Sequence, residues 1–441
     1  MPWSRHPLIW LGGLALALRL LTLPFPVVFG FDVRSYHDIA ANLVAGKGYT
    51  LDGVTPETYW PPGAVWLDAL SLFISPNPIV NRLLWVILGA ACVPLAFCLA
   101  KQRFGSRVAW VFGLLMAVYP YNLILAMSAS TEIPNLLLLL ATVWLIARRG
   151  RPFWIGVVFG LACLCRPSDL SFFPLLLAWM VCLLHRSETV RAGFLRGRIA
   201  SASLFLCGAM LCIGPWSVRS SLHAQTLVPL CTGGLRNVWA GTNPHYIAWQ
   251  QGTMDSKEFG AKIYPDGFWT MPYAKQNRYC GKAIFDFVTS QPKEFASVMA
   301  YKTVRFFFSP PAWNSSQHWT MLQPRFGGHG REAAYYLGYV YLPVIGAALA
   351  AVALAFRQRR WREIGPVMVW IAFAYASNVW FDAVVAYRHK SGTETALLLL
   401  AAWFIASQKW IPWARLFSEE PSSGEPGNDA KNALGSPMAA R

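Results

Sequence analysis

The chain has 441 residues, of which 55% are hydrophobic and only 13% charged, with a positive mean hydropathy. That composition excludes an ordinary soluble globular protein and places the chain among polytopic membrane proteins. The formal net charge of +17 does not point to nucleic acid, because the basic residues gather in short loops between apolar segments.

A bilayer core is crossed by about 20 helical residues. On that measure about ten spans are predicted, near 7–28, 79–100, 108–127, 131–147, 153–167, 170–184, 199–215, 335–356, 364–385 and 393–408. Arginines and lysines crowd the loops around Lys101, Arg148, Arg186 and Arg357, and the positive-inside rule makes those loops cytoplasmic. Three segments then face outward: a first loop at 30–78, a long insert at 216–332, and the turn from Tyr387 to Glu394. The expected architecture is an all-α polytopic bundle, one transmembrane domain over 1–415, with a disordered cytoplasmic tail at 416–441.

The first span has no small-residue cleavage site after it and reads as an uncleaved anchor. It holds Arg19 near mid-bilayer, where a charge is costly, so Arg19 is read either as facing a polar cavity or as snorkelling to an interface. The span gives way to the carboxylate of Asp32. Beyond it Tyr36, Ile39, Ala40, Leu43 and Val44 recur at three- and four-residue spacing, which predicts an interfacial amphipathic helix ended by Gly46 and Gly48. Arg34, His37, Asp38 and Asn42 fall elsewhere around that helix. Tyr59 and Trp60 precede Pro61-Pro62-Gly63, and residues 64–75, apolar but too short to cross, predict a second interfacial helix.

Glu132 opens the fourth span after Ser130 and Thr131, where it either complements the helix dipole or serves the same site as Asp32. Arg166 and Asp169 join the fifth and sixth spans and are read as a mutual pair or as site residues. In the insert, Gly233, Gly234 and Gly241 suit turns ahead of Asn243, and Cys231 and Cys280 are either a disulfide or two free thiols. A helical amphipathic stretch follows over residues 283–311, and Asn314 starts a glycosylation sequon. Arg388, His389 and Lys390 stand together on the outer face, as an anion site or as a solvated turn.

The outer face thus collects two carboxylates, Asp32 and Glu132, with cations at Arg19, Arg34, Arg166, Arg219, Arg388 and His389. No zinc spacing, phosphate-cradling glycine loop or nucleophile elbow accompanies them, so no cofactor is called for and hydrolase or NTPase readings are weak. The set suits sugar transfer from a lipid phosphate: a carboxylate takes the proton of an attacking hydroxyl while guanidinium groups hold the departing phosphate.

Several short motifs carry a resemblance. They are Asp32 with Tyr36, Gly46-Lys47-Gly48-Tyr49, Tyr59 through Gly63, Ser130-Thr131-Glu132-Ile133-Pro134, Arg166-Pro167, Pro215-Trp216 with Arg219, Gly241-Thr242-Asn243-Pro244, the helix from Gln291-Pro292 to Phe306, and Tyr387-Arg388. In this order they resemble the GT-C superfamily of polyprenyl-phosphate-sugar-dependent glycosyltransferases, in the branch of protein O-mannosyltransferases and lipid A aminoarabinose transferases. The resemblance implies a GT-C transmembrane bundle with Asp32 as general base, Glu132 as a second acidic residue and Arg388 on the donor phosphate. It implies as partners a polyprenyl-phosphate sugar, a glycolipid, glycan or protein acceptor and the bilayer, at the outer face of a bacterial cytoplasmic membrane. Arg19, Arg166 and His389 are expected to help hold the phosphate, and Arg34, Tyr36, Tyr59, Trp60, Arg219 and Asn243 to line the substrate pocket.

Two departures stand out. Many relatives carry a second acid directly after the first-loop aspartate, where this chain has Val33, which argues against a metal held by adjacent carboxylates. Arg388 also stands six residues from Glu394, a wide gap for the pattern. Two other classes remain open: an O-antigen ligase or polymerase, which needs arginines but not Asp32, and a transporter, which lacks the expected internal repeat here.

Overall fold

The computed structural model describes residues 6–24, 31–127, 129–182, 193–308, 339–381, 391–411 and 413. Arg388, His389, Lys390, the Asn314 sequon and the tail at 416–441 lie outside them. Among the described residues the regular structure is helical, and the one β contact is an isolated bridge between Thr50 and Pro56.

The helices are α1 (Pro7–Leu20), α2 (Phe31–Val44), α3 (Pro62–Ile74), α4 (Pro78–Phe104), α5 (Ser106–Val118), α6 (Pro120–Leu125), α7 (Glu132–Ala147), α8 (Pro152–Cys165) and α9 (Phe173–Cys182). They continue with α10 (Gly193–Ala224), α11 (Gly234–Gly241), α12 (Tyr246–Gln250), α13 (Ser256–Ile263), α14 (Tyr273–Ser290), α15 (Pro292–Phe308), α16 (Tyr341–Arg357), α17 (Trp361–Phe381) and α18 (Ser391–Ala406). Proline opens α1, α3, α4, α6 and α8, where its missing N–H costs nothing and its fixed φ favours the first turn. Gly105 separates α4 from α5 with φ +86°, a backbone conformation that only glycine adopts without strain.

Among the described residues, two helices are long and apolar enough to cross a membrane, Pro78–Phe104 and 28 residues at Gly197–Ala224. The other apolar helices are shorter. Three predicted spans differ in form. The third is broken at Pro120, which cannot donate within a helix and holds Tyr119 extended, at ψ 115°. The sixth begins as a 3-10 turn, Pro167–Phe172. The seventh runs on through Pro215 to Ala224, so residues 216–224 belong to a helix rather than to the long insert.

Two hydrophobic cores result. One joins α1, α4, α5, α7, α16 and α18 through residues such as Leu11, Trp85, Phe97, Phe112 and Leu398. The second joins α2, α3, α8 and α10 through Tyr36, Ile39, Val65, Phe159 and Phe205. Within it α8 and α10 touch backbone to backbone: a Cβ on Gly156 would lie 2.1 Å from the Phe205 carbonyl oxygen, and one on Gly208 2.1 Å from that of Phe153. Such close approach through small residues is how helices associate where lipid removes the hydrophobic drive.

The insert packs around apolar residues of its own. Trp239, Tyr246, Phe259, Phe268, Cys280 and Phe287 form its own core, and Cys231 and Cys280 are free thiols. The amphipathic stretch near its end is two helices, α14 and α15, parted at Gln291-Pro292.

Candidate active site

Helix α2 lies on the seam between the two cores. Val33 is buried in the first and Tyr36 in the second. Val33 therefore packs, so the position after Asp32 that departs from the family pattern is taken up by hydrophobic contact. Asp32 is half-buried in the first turn of α2, and Tyr36 one turn later shares its face.

Tyr36 is coupled electrostatically to one acidic and one basic residue, Glu132 and Arg166. Its phenol is held well above its ordinary pKa by burial and then by Glu132, with Arg166 acting the other way. Glu132 is the first residue of α7 and only 2% exposed. The turn before it is fixed by Trp85, whose indole donates to the Ser130 carbonyl at 2.8 Å. Thr131 sits at the N-cap without a side-chain cap bond, so the capping expected of Ser130 or Thr131 is not made there by Thr131.

Arg166 follows α8, within electrostatic reach of Tyr36, Tyr121 and Asp169. The Asp169 carboxylate accepts from the Asn135 side chain of α7, which also donates to the Ala162 carbonyl at 3.3 Å.

A second carboxylate that the sequence left without a role belongs to the same region. Glu394, in the first turn of α18, is 2% exposed. Tyr119, Tyr121 and Tyr341 all lie within its electrostatic reach, and Tyr121 is also within reach of Glu132. The proline break between α5 and α6 is what turns Tyr119 and Tyr121 into this space. A Tyr-Pro-Tyr triplet at the end of an apolar run, with a lone glutamate opening another, was the available signal.

Other expected site residues are placed differently. Arg19 is buried between helices: its Nη1 donates to the Ala15 carbonyl at 3.1 Å, and its Nε lies 3.0 Å from where a Cβ on Gly89 would stand. Arg34 is largely exposed and pairs with Asp38 at 3.9 Å, the ordinary i,i+4 pair of a helix surface. Arg219 is used in structure, donating to the carbonyls of Glu57 at 2.8 Å and Tyr49 at 3.2 Å while stacking over the rings of Trp216 and Tyr49. Asn243 is fully buried at the end of α11, its amide donating to the carbonyls of Trp239 and Ala240 while its oxygen accepts from the His245 N–H. Tyr59 and Trp60 do continue from Tyr36, as ring upon ring.

A polar cluster absent from the sequence reading bolts α2 to α3 and α4. Asp68, 1% exposed, accepts from Asn81, which also donates to Ser71 Oγ at 2.8 Å; His37 Nδ1 lies 3.2 Å from the other Asp68 oxygen. This hydrogen bond raises the His37 pKa above the ordinary imidazole value of 6.5, against the opposing effect of burial, with the charges of Asp68 and Asp38 adding to it. The stabilisation is therefore complete below the unfolded pKa and is lost as pH rises through the folded one. The wild-type melting temperature should fall between about pH 6 and pH 8, and His37→Gln should flatten that slope. Equal slopes by differential scanning fluorimetry would remove His37 from the account.

Residues 60–215 match the family model of dolichyl-phosphate-mannose-protein mannosyltransferases. The resemblance to the GT-C glycosyltransferases holds over that segment. It contains Trp60, Glu132 and Arg166, while Asp32 and Glu394 fall outside it.

Among solved structures the chain is similar to the Archaeoglobus fulgidus oligosaccharyltransferase tethered with an acceptor peptide, with TM-score 0.47, 13% identity, and coverage of 91% of this chain and 50% of that one. It is similar to AglB from the same organism in complex with an inhibitory peptide and a dolichol-phosphate, with TM-score 0.46, 12% identity and coverage of 90% and 50%. It is also similar to ArnT from Cupriavidus metallidurans bound to undecaprenyl phosphate, with TM-score 0.42, 15% identity and coverage of 90% and 77%. The chain spans about half the length of the archaeal structures it matches. No curated protein matches it.

Proposed function

We propose that this chain is an inverting GT-C glycosyltransferase that moves a sugar from a polyprenyl-phosphate carrier to an acceptor hydroxyl at the outer face of a bacterial cytoplasmic membrane. The observation that supports this reading best is the electrostatic coupling of Tyr36, one helical turn from Asp32, to Glu132 and Arg166, both inside the family-matched segment. The ten-span topology with basic loops inside belongs to the same reading, as does the single transmembrane domain over 1–415.

In the proposed reaction Asp32 accepts the proton of the acceptor hydroxyl. The freed oxygen pair attacks the anomeric carbon from the face opposite the phosphate, and the carbon–oxygen bond to phosphate breaks. Polyprenyl phosphate leaves with the electrons of that broken bond, and the anomeric carbon is inverted. Arg166, with Arg388 and His389 as expected from the resemblance, holds the leaving phosphate; such charge-assisted bonds are the strong ones. Glu132 and Glu394 set the polar wall across from it.

The test uses full-length protein in nanodiscs, offered a panel of polyprenyl-phosphate sugars, with free polyprenyl phosphate as readout. One donor should be consumed, by slow hydrolysis or by transfer. If none is consumed or bound, the transporter reading takes its place.

A further inference from the structure

Beyond the buried site, the aromatic contacts run on to the surface. Trp60 packs edge-on to Tyr36 at 5.2 Å, and Tyr59 edge-on to Trp60 at 4.6 Å. Arg236 of α11 then lies over Tyr59, its Cζ 4.3 Å from the ring centre, and also over Trp269 at 5.0 Å. Trp269 is held by Tyr264 at 5.2 Å and Phe268 at 5.3 Å, yet 64% of it is exposed. Gly233 permits the junction, since a Cβ there would come within 2.7 Å of Tyr59 Cε2. The second strap is a backbone bond from the Thr232 N–H to the Thr58 carbonyl at 2.9 Å.

This row has unused donors. Among the described residues the Arg236 guanidinium makes ring contacts but no hydrogen bond or ion pair. Asn237 uses its side-chain oxygen toward the Tyr59 hydroxyl, 3.3 Å away, which leaves its amide N–H₂ without a partner among the described residues. A guanidinium held over two rings keeps its N–H groups for oxygen acceptors.

We propose that Tyr59, Arg236, Asn237 and Trp269 form the acceptor-binding strip of this enzyme, and that its occupant is a glycan. The inference rests on the glycosyltransferase reading and names the class of acceptor. Sugar rings combine an apolar C–H face, which stacks on Trp269 and Tyr59, with hydroxyl or carboxylate oxygens for Arg236 and Asn237. The strip begins at Tyr36, so a glycan lying along it delivers its terminal hydroxyl toward Asp32.

The experiment measures binding apart from catalysis. Full-length protein in nanodiscs is titrated with neutral and uronate-containing oligosaccharides, with serine- and threonine-bearing peptides, and with anionic vesicles, following tryptophan fluorescence. One oligosaccharide class should bind, and Trp269→Ala and Arg236→Ala should each weaken it by about tenfold, while Trp269→Phe, which keeps the stacking face, retains most of it. With the donor present, the acceptor KM should rise in the same variants more than kcat falls. Melting temperatures of all variants check the fold.

Unchanged oligosaccharide affinity in both alanine variants overturns the proposal. So does loss of peptide binding alone, which would make this a peptide surface, or loss of vesicle binding alone, which would make it a membrane anchor. If wild type consumes no donor yet binds oligosaccharide through Trp269, the glycosyltransferase reading fails and the strip stands as a glycan site.

Discussion

Asp32→Asn is expected to lower sugar transfer by about 10²- to 10⁴-fold, the contribution of a positioned general base. The isostere keeps the shape of the side chain and its place in the first turn of α2, and it removes only the basicity. Asp32 is half-buried, one turn from Tyr36, and Tyr36 is within electrostatic reach of Glu132 and Arg166. No other carboxylate shares its face of α2, since Asp38 lies further on and pairs with Arg34. Release of polyprenyl phosphate by wild type and variant, in one nanodisc preparation, decides the matter. Equal release would take the base away from Asp32 and favour a ligase-like enzyme working through arginines.

Glu132→Gln is expected to reduce kcat by about ten- to a hundredfold, because hydrogen bonds to a charged group are worth about 1.5–3 kcal/mol and about 1.4 kcal/mol is tenfold in rate. A purely structural Glu132, complementing the positive end of α7, would behave otherwise. That role is worth about 0.3–1 kcal/mol and would show as a small loss of stability with turnover kept. Turnover and melting temperature measured together separate the two. A lower melting temperature with full activity would return Glu132 to the helix end, and the polar wall would then rest on Glu394.

Much of the helical order was legible because apolar runs of bilayer length leave little choice: with water absent, the backbone must satisfy itself, and a helix does so locally. Pro61-Pro62 marked the start of α3, and Gly46 and Gly48, both at positive φ, marked the end of α2. Tyr36, Tyr59 and Trp60 were legible as site candidates from their order after Asp32. What the sequence leaves open has one cause, which is that a charged or amide side chain does not declare in sequence whether it faces ligand or protein. Arg219 and Asn243 spend their donors on backbone carbonyls, and Arg34 faces outward beside Asp38. Conversely Asp68, inside an apolar helix, found Asn81, Ser71 and His37 from three different stretches of chain. Arg236 and Trp269 come from parts of the insert 33 positions apart in sequence and meet only through the fold of α11 against the 3-10 turn Phe268–Thr270.

The Arg219 contacts reach further than the stability of one loop. Its guanidinium pins the stretch from Tyr49 to Glu57 onto the upper part of α10, while Gly156 and Gly208 weld the lower part of α10 to α8, the helix that ends at Arg166. The first loop, α10 and the Arg166 turn therefore form one mechanical body. In the proposed reaction, a donor held at Arg166 and an acceptor laid past Tyr59 would meet parts of the same frame, so the scaffold would hold the two substrates in register.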